Sequence, residues 1–93
     1  MIDIDIYQQQ ATKVKKYLKG QELLYLLAKL TEETGEVAKE FIKQIDGKDI
    51  STDLKSELGD IIWTCIALAE LNNITFSDIL KENLKKLEER NLL

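Results

Sequence analysis

Residues 54–71 read LKSELGDIIWTCIALAEL. At 100° per residue, the apolar side chains of this run point in nearly every direction: Leu54, Leu58, Ile61, Ile62, Trp63, Ile66, Leu68 and Leu71. The periodicity predicts a helix from about Thr52 to Leu71, and a helix that is apolar all round is buried all round. Its longest nearly apolar run, Ile61 to Ala69, is too short to span a bilayer. A chain of 93 residues offers little material to cover such a helix. Its second face is therefore expected to pack on another subunit, as a homodimer or homotetramer. Among its charged residues, Glu57 and Asp60 share a face because they are three apart.

Gly20, the Asp46-Gly47-Lys48-Asp49 cluster and Asn72-Asn73 divide the chain into four helical segments. The first covers about residues 4–19, with Tyr7, Ala11, Val14 and Leu18 as its stripe and Lys13, Lys15, Lys16 and Lys19 as a solvated face. The second runs from about Gln21 to Ile45, with Leu23, Leu27, Leu30, Val37, Phe41 and Ile45 on one stripe. The fourth runs from about Phe76 to Arg90, capped by Thr75 and stapled by Ile74 onto Ile79. The expected architecture is all-α, a four-helix bundle forming a single domain over residues 1–93 and oligomerising through the central helices.

Composition narrows the chemistry. There is no Pro and only 4 Gly, with 44% apolar and 32% charged residues, which suits a helix-rich globule. The 13 basic and 17 acidic residues leave a net charge of -4, which argues against a nucleic-acid polymer as partner. With His absent, His-based hydrolysis, His-ligated zinc and di-iron Glu-x-x-His sites drop out. The lone Cys65 excludes an intrachain disulfide and fits a reducing cytoplasm. The acidic N-terminus carries no apolar signal core.

The carboxylates stand where a solvated acid would not. Glu57 falls inside the arc of Leu54, Ile61, Thr64 and Leu68, and Asp60 lies at its edge. An ionised carboxylate there must be paired, protonated or bound to a metal. The second helix repeats the spacing with Glu33 and Glu36, which border the core beside Leu26, Leu30 and Val37. Glu40 lies one turn further on the same flank, and Glu32 points to solvent. Both pairs carry a Gly just before the second acid, in Glu33-Thr34-Gly35-Glu36 and Glu57-Leu58-Gly59-Asp60. Because a helical Gly costs roughly 1 kcal/mol against Ala, Gly35 and Gly59 are read as close packing positions. Two antiparallel helices bearing such pairs can gather four carboxylates, and oxygen-only donors select Mg²⁺, with Mn²⁺ as the alternative. The competing reading is an ordinary acidic surface with lysine partners, such as Glu36 with Lys39 or Lys43.

On the fourth helix, Asn83 falls within the apolar arc of Phe76, Ile79, Leu80, Leu84 and Leu87, with Arg90 near it and Lys86 on its margin. These polar groups could neutralise the acids as internal ion pairs or hold phosphate oxygens. Trp63 points off the acidic face and reads as core or interface. Cys65 sits among core positions. Gln8, Gln9 and Gln10 read as exposed, with base recognition by their amides as the lesser alternative.

The segment Leu30-Thr31-Glu32-Glu33-Thr34-Gly35-Glu36-Val37, then Glu57-Leu58-Gly59-Asp60-Ile61-Ile62-Trp63, resembles the all-α nucleoside triphosphate pyrophosphohydrolases of the MazG-like superfamily, with their E-E-x-x-E and E-x-x-D motifs. The ending Asn83-Leu84-Lys85-Lys86-Leu87-Glu88-Glu89-Arg90 is similar to the N-x-x-K-L-x-x-R of small MazG-like proteins. The resemblance implies that Glu33, Glu36, Glu57 and Asp60 bind Mg²⁺. It also implies a nucleoside triphosphate substrate, cut by water at the α-phosphorus to the monophosphate and pyrophosphate. Glu33, with Glu36 second, would take the water's proton. Lys86 and Arg90 would meet phosphate charge, and Asn83 the sugar or phosphate. Two alternatives stand: a phosphoribosyl-ATP pyrophosphohydrolase-like enzyme, and a non-catalytic helical dimerisation module whose acids are structural ion pairs.

Overall fold

The computed structural model of the chain describes residues 1–13 and 22–93. Four helices follow in order: α1 (Ile4–Ala11), α2 (Glu22–Ile45), α3 (Ser51–Leu71) and α4 (Phe76–Glu89). Among the described residues there is no strand. No helix among them is long and apolar enough to cross a membrane. The all-α expectation holds. The first helix stops at Ala11, with Thr12 as its C-cap and Lys13 in the turn, short of the expected run to residue 19; Val14, Lys15, Lys16, Leu18, Lys19 and the Gly20–Gln21 break lie outside the described residues.

The helix ends are written locally. Asp3 caps α1 by accepting from the Ile6 N–H at 3.0 Å, and Thr75 caps α4 by accepting from the Asp78 N–H at 3.3 Å. Asp49 turns the chain into α3 by accepting from both the backbone N–H and the hydroxyl of Ser51, at 3.0 and 2.8 Å. The three longer helices stop in the same way. Gly47, Asn73 and Asn91 take positive φ, and the next residue's N–H reaches back to a carbonyl in the last turn: Lys48 to Lys43, Ile74 to Ala69, Leu92 to Leu87.

The α2–α3 hairpin, turned by Asp46–Ile50, is the main packing unit, and α1 lies against α3 and α4. Gln8 ties these parts together. Expected on an exposed face, it is 4% exposed. Its amide donates to Glu70 Oε2 and to the Ile74 carbonyl, both at 2.9 Å, and accepts from the Phe76 N–H at 2.6 Å. A buried amide needs every one of these partners, so Gln8 is a structural clamp on the α3–α4 turn. The Trp63 indole N–H donates to the Ala11 carbonyl at 3.0 Å, which agrees with its reading as a packing residue.

The buried line of α2 differs from the expected stripe. It passes through Leu26, Glu33 and Glu40, seven residues apart and 1%, 4% and 5% exposed. Leu23, Leu27, Phe41 and Ile45 stand open. Similarly, α3 buries Thr64, Ile66, Ala67 and Ala69 and leaves Leu58 and Ile62 exposed, while α4 buries no residue. The placement of Gly35 and Gly59 as close packing positions is not met within the chain, because a Cβ at either would meet nothing within 4 Å.

Candidate metal centre

Two facing elements build the site. The α2 line that carries Leu26 inward also carries Glu33 inward seven residues later, since that spacing is close to two helical turns. On α3, Glu57 is half-buried and Asp60, one turn on, is exposed. Carboxylate oxygens of Glu33, Glu57 and Asp60 lie within 4.8 Å of one another. Glu36 stands beside this group without completing it: it is half-buried, and its Oε1 is 3.6 Å from Lys39 Nζ. Its negative charge nevertheless reaches Glu57.

The electrostatics are those of crowded anions. Desolvation holds the Glu57 carboxyl above the usual carboxylate range. The negative charges of Glu33, Glu36 and Asp60, and a hydrogen bond with Glu33, push the same way. Lys29 answers part of the charge, reaching Glu33 Oε1 at 3.1 Å and Glu32 Oε1 at 3.1 Å. Its pKa is driven upward by those two hydrogen bonds. Lys43 holds Glu40 Oε1 at 3.1 Å and feels Asp53 and Glu57 across the helix pair. The other Glu40 oxygen is buried with no hydrogen-bond partner.

Lys29 is the residue that sequence reasoning missed, and the burial of Glu40, already placed on the flank of Glu33 and Glu36, is what the structure adds. Lys29 is four residues before Glu33, a spacing that puts the two on one helix face. Glu40 is one heptad beyond Glu33, a signal present in the spacing Leu26, Glu33, Glu40. Glu32 points outward as expected, held by Lys29.

The α4 residues are not gathered with the acids. No Cα of α4 comes within 8 Å of a Cα of α2. Asn83 and Lys86 instead line a surface groove with Ile74, Asp78, Ile79 and Glu82, and Arg90 is the exposed C-cap of α4. Among the described residues the ion pairs of Lys29, Lys39 and Lys43 all lie within α2, and no α4 side chain pairs with the acids.

Three carboxylates from two helices, crowded enough to raise the pKa of Glu57, form an oxygen-only donor set suited to a hard divalent cation. A family model described as the MazG nucleotide pyrophosphohydrolase domain matches residues 21–92. The chain belongs to this family. The match spans α2, α3 and α4, and so contains every carboxylate of the cluster. The MazG chain is also similar to Gene 37 protein of Mycobacterium phage L5, with 31% identity over 99 residues that cover 94% of this chain and 87% of that protein. No solved structure matches it.

Proposed function

We propose that this MazG protein is a Mg²⁺-dependent nucleoside triphosphate pyrophosphohydrolase. It would convert an NTP or dNTP to the monophosphate and pyrophosphate, clearing nucleotides in the cytoplasm. The observation that carries the reading is the approach of Glu33, Glu57 and Asp60 within 4.8 Å inside a MazG family domain. The donor set fits the ion: all ligands are hard oxygens, they come from two helices, and the upward shift of the Glu57 pKa marks an excess of negative charge that a dication would relieve.

Glu33, Glu57 and Asp60 would hold Mg²⁺, with Glu36 on the open side. When bound, the ion neutralises triphosphate charge and orients the phosphates, which is most of what phosphoryl-type chemistry requires. The residues then divide the work. Lys29 fixes the Glu33 carboxylate in the cluster. Glu33 and Glu36 are the candidate bases. Glu36 is favoured for taking the proton of the attacking water, because it is outside the three-carboxylate set and its side chain is 40% exposed. This reverses the order suggested by the motif alone. Asn83, Lys86 and Arg90 would bind the sugar and phosphates.

The test is pyrophosphate release from a panel of canonical and modified NTPs and dNTPs, with phosphoribosyl-ATP included, at saturating Mg²⁺. Release from at least one nucleotide, lost on chelation and in Glu57→Gln and Asp60→Asn variants that keep their helical circular dichroism, supports the enzyme. Selective cleavage of phosphoribosyl-ATP would move it to that neighbouring activity. A wild-type protein that binds no divalent ion and cleaves nothing would make it a dimerisation module. The ion pairs of Lys29 and Lys43 with buried acids are the feature that favours this second reading.

A further inference from the structure

The cluster has a charge deficit that one metal ion does not remove. Glu33, Glu57 and Asp60 together outweigh a single divalent ion, so an arriving polyphosphate meets a site that is still negative. Glu36 at the margin deepens the deficit. A further cation is needed at the rim. The cations of α4 are not there in this chain, since α4 does not approach α2.

Three lysines of α2 lie along the acids. Lys39 is 3.6 Å from Glu36 and Lys43 is 3.1 Å from Glu40, and neither acid belongs to the cluster. Lys29 differs. Its ammonium is 3.1 Å from Glu33 Oε1, one hydrogen bond from a carboxylate of the cluster itself. It holds Glu32 Oε1 at the same 3.1 Å. Lying three residues before one acid and four before the other, Lys29 straddles the border between the buried and the solvent face of α2. The two contacts are unequal. Glu33 is buried, whereas the Glu32 side chain is 61% exposed. An exposed pair is weak and screened by salt, so a stronger anion can displace it. An ammonium carries three donors. Glu32 and Glu33 use two of them, and the Lys29 side chain, 33% exposed, is open to a ligand.

We propose that Lys29 is a phosphate-binding residue of the site, and that Glu32 fills, in the free chain, the place a phosphate oxygen takes when substrate binds. The buried bond to Glu33 keeps Nζ at the rim, while the exposed bond to Glu32 gives way to the more highly charged polyphosphate. The ligand class is that of the pyrophosphohydrolase reading, on which this inference rests. It adds the cation that meets the phosphates and the acid that yields to them.

The probe is inorganic tripolyphosphate, which has neither base nor sugar, titrated calorimetrically into the full chain at saturating Mg²⁺. Lys29→Met should weaken its binding about tenfold, the worth of one charge-assisted hydrogen bond. Lys29→Arg should keep most of the affinity. Glu32→Gln should tighten binding about threefold, because the ammonium loses a competing anion. Mg²⁺ titrated alone should bind Lys29→Met as well as it binds the wild type, or better, since a positive neighbour of Glu33 is gone. Tripolyphosphate affinity that is unchanged in Lys29→Met, or not raised in Glu32→Gln, would overturn the proposal. So would a fall in Mg²⁺ affinity in Lys29→Met large enough to account for the whole loss, which would make Lys29 only a support for Glu33. A wild type that binds no tripolyphosphate overturns it outright. The expected shifts in a protein that cleaves no nucleotide would sink the enzyme reading and keep the phosphate site. Cleavage of nucleotides with unshifted affinities would keep the enzyme and sink the role of Lys29.

Discussion

Glu57 sets the pH behaviour of the cluster. Its folded-state pKa is raised by desolvation and by Glu33, Glu36 and Asp60, so its protonated form is favoured by folding. The stability this contributes is full below the unfolded carboxylate pKa and is lost as pH rises through the elevated folded value. Metal-free protein should therefore show a falling Tm as pH climbs from the ordinary carboxylate range through that elevated value. The same proton competes with a cation, so Mg²⁺ affinity should rise over the same interval. Isothermal titration at several pH values checks the second part; an affinity flat in pH would contradict the shared proton. Glu57→Gln should flatten the metal-free profile and leave Tm equal or higher, because an anion is removed from an anionic cluster. At the other end of the molecule, Gln8→Ala should cost roughly 1–3 kcal/mol, since it strips the Phe76 N–H and the Glu70 carboxylate of a buried partner. Urea denaturation reads this directly. The role of Gln8 was invisible in the sequence, where three successive glutamines look alike. Only the packing of α1 on the α3–α4 turn distinguishes the first of them.

At the scale of the helix, caps and glycines can be weighed one by one. Thr75→Ala removes the acceptor for the Asp78 N–H and should destabilise by about 1 kcal/mol. Gly35→Ala should stabilise by about 0.5–1 kcal/mol, because the new Cβ meets nothing within 4 Å and the helix gains propensity. Thermal melts of both variants would check the signs, and a destabilised Gly35→Ala would reveal close packing on α2 in the assembled protein. The extents of α2, α3 and α4 were legible because breaks and periodicity are local. The buried face of α2 was misjudged. Two neighbouring lines on that helix are comparably apolar, one through Leu23, Leu27 and Ile45 and one through Leu26, Leu30 and Val37. The line that faces α3 is the one with Glu33 and Glu40 in it. A pattern reading that seeks apolar residues inside turns away from buried acids, and here the buried line carries two of them.

For the whole molecule, association and metal binding both bear on stability. If the chain forms the expected homodimer or homotetramer, Tm should rise with protein concentration. Mg²⁺ at about 100 times its dissociation constant should add about 2.7 kcal/mol if it binds the folded state alone. A Tm independent of both would deny the association and the metal together. The family match over residues 21–92 and the gathered carboxylates agree about where the chemistry lies.

The linear order of residues was enough to determine four helical segments, the two acidic pairs with their three-residue spacing, and a surplus of apolar surface beyond what 93 residues can cover. Those properties depend on backbone periodicity, caps and composition, which act over a few residues or over the total. Tertiary structure alone decided which three carboxylates converge, that Lys29 anchors Glu33 while Glu36 stays at the margin, that Gln8 is a clamp, and that Lys86 and Arg90 stand apart from the acids. Each of these depends on the rotation of one helix about its axis relative to another. A rotation of a few tens of degrees exchanges inside for outside, and near-equal apolar stripes leave it unspecified until the helices pack.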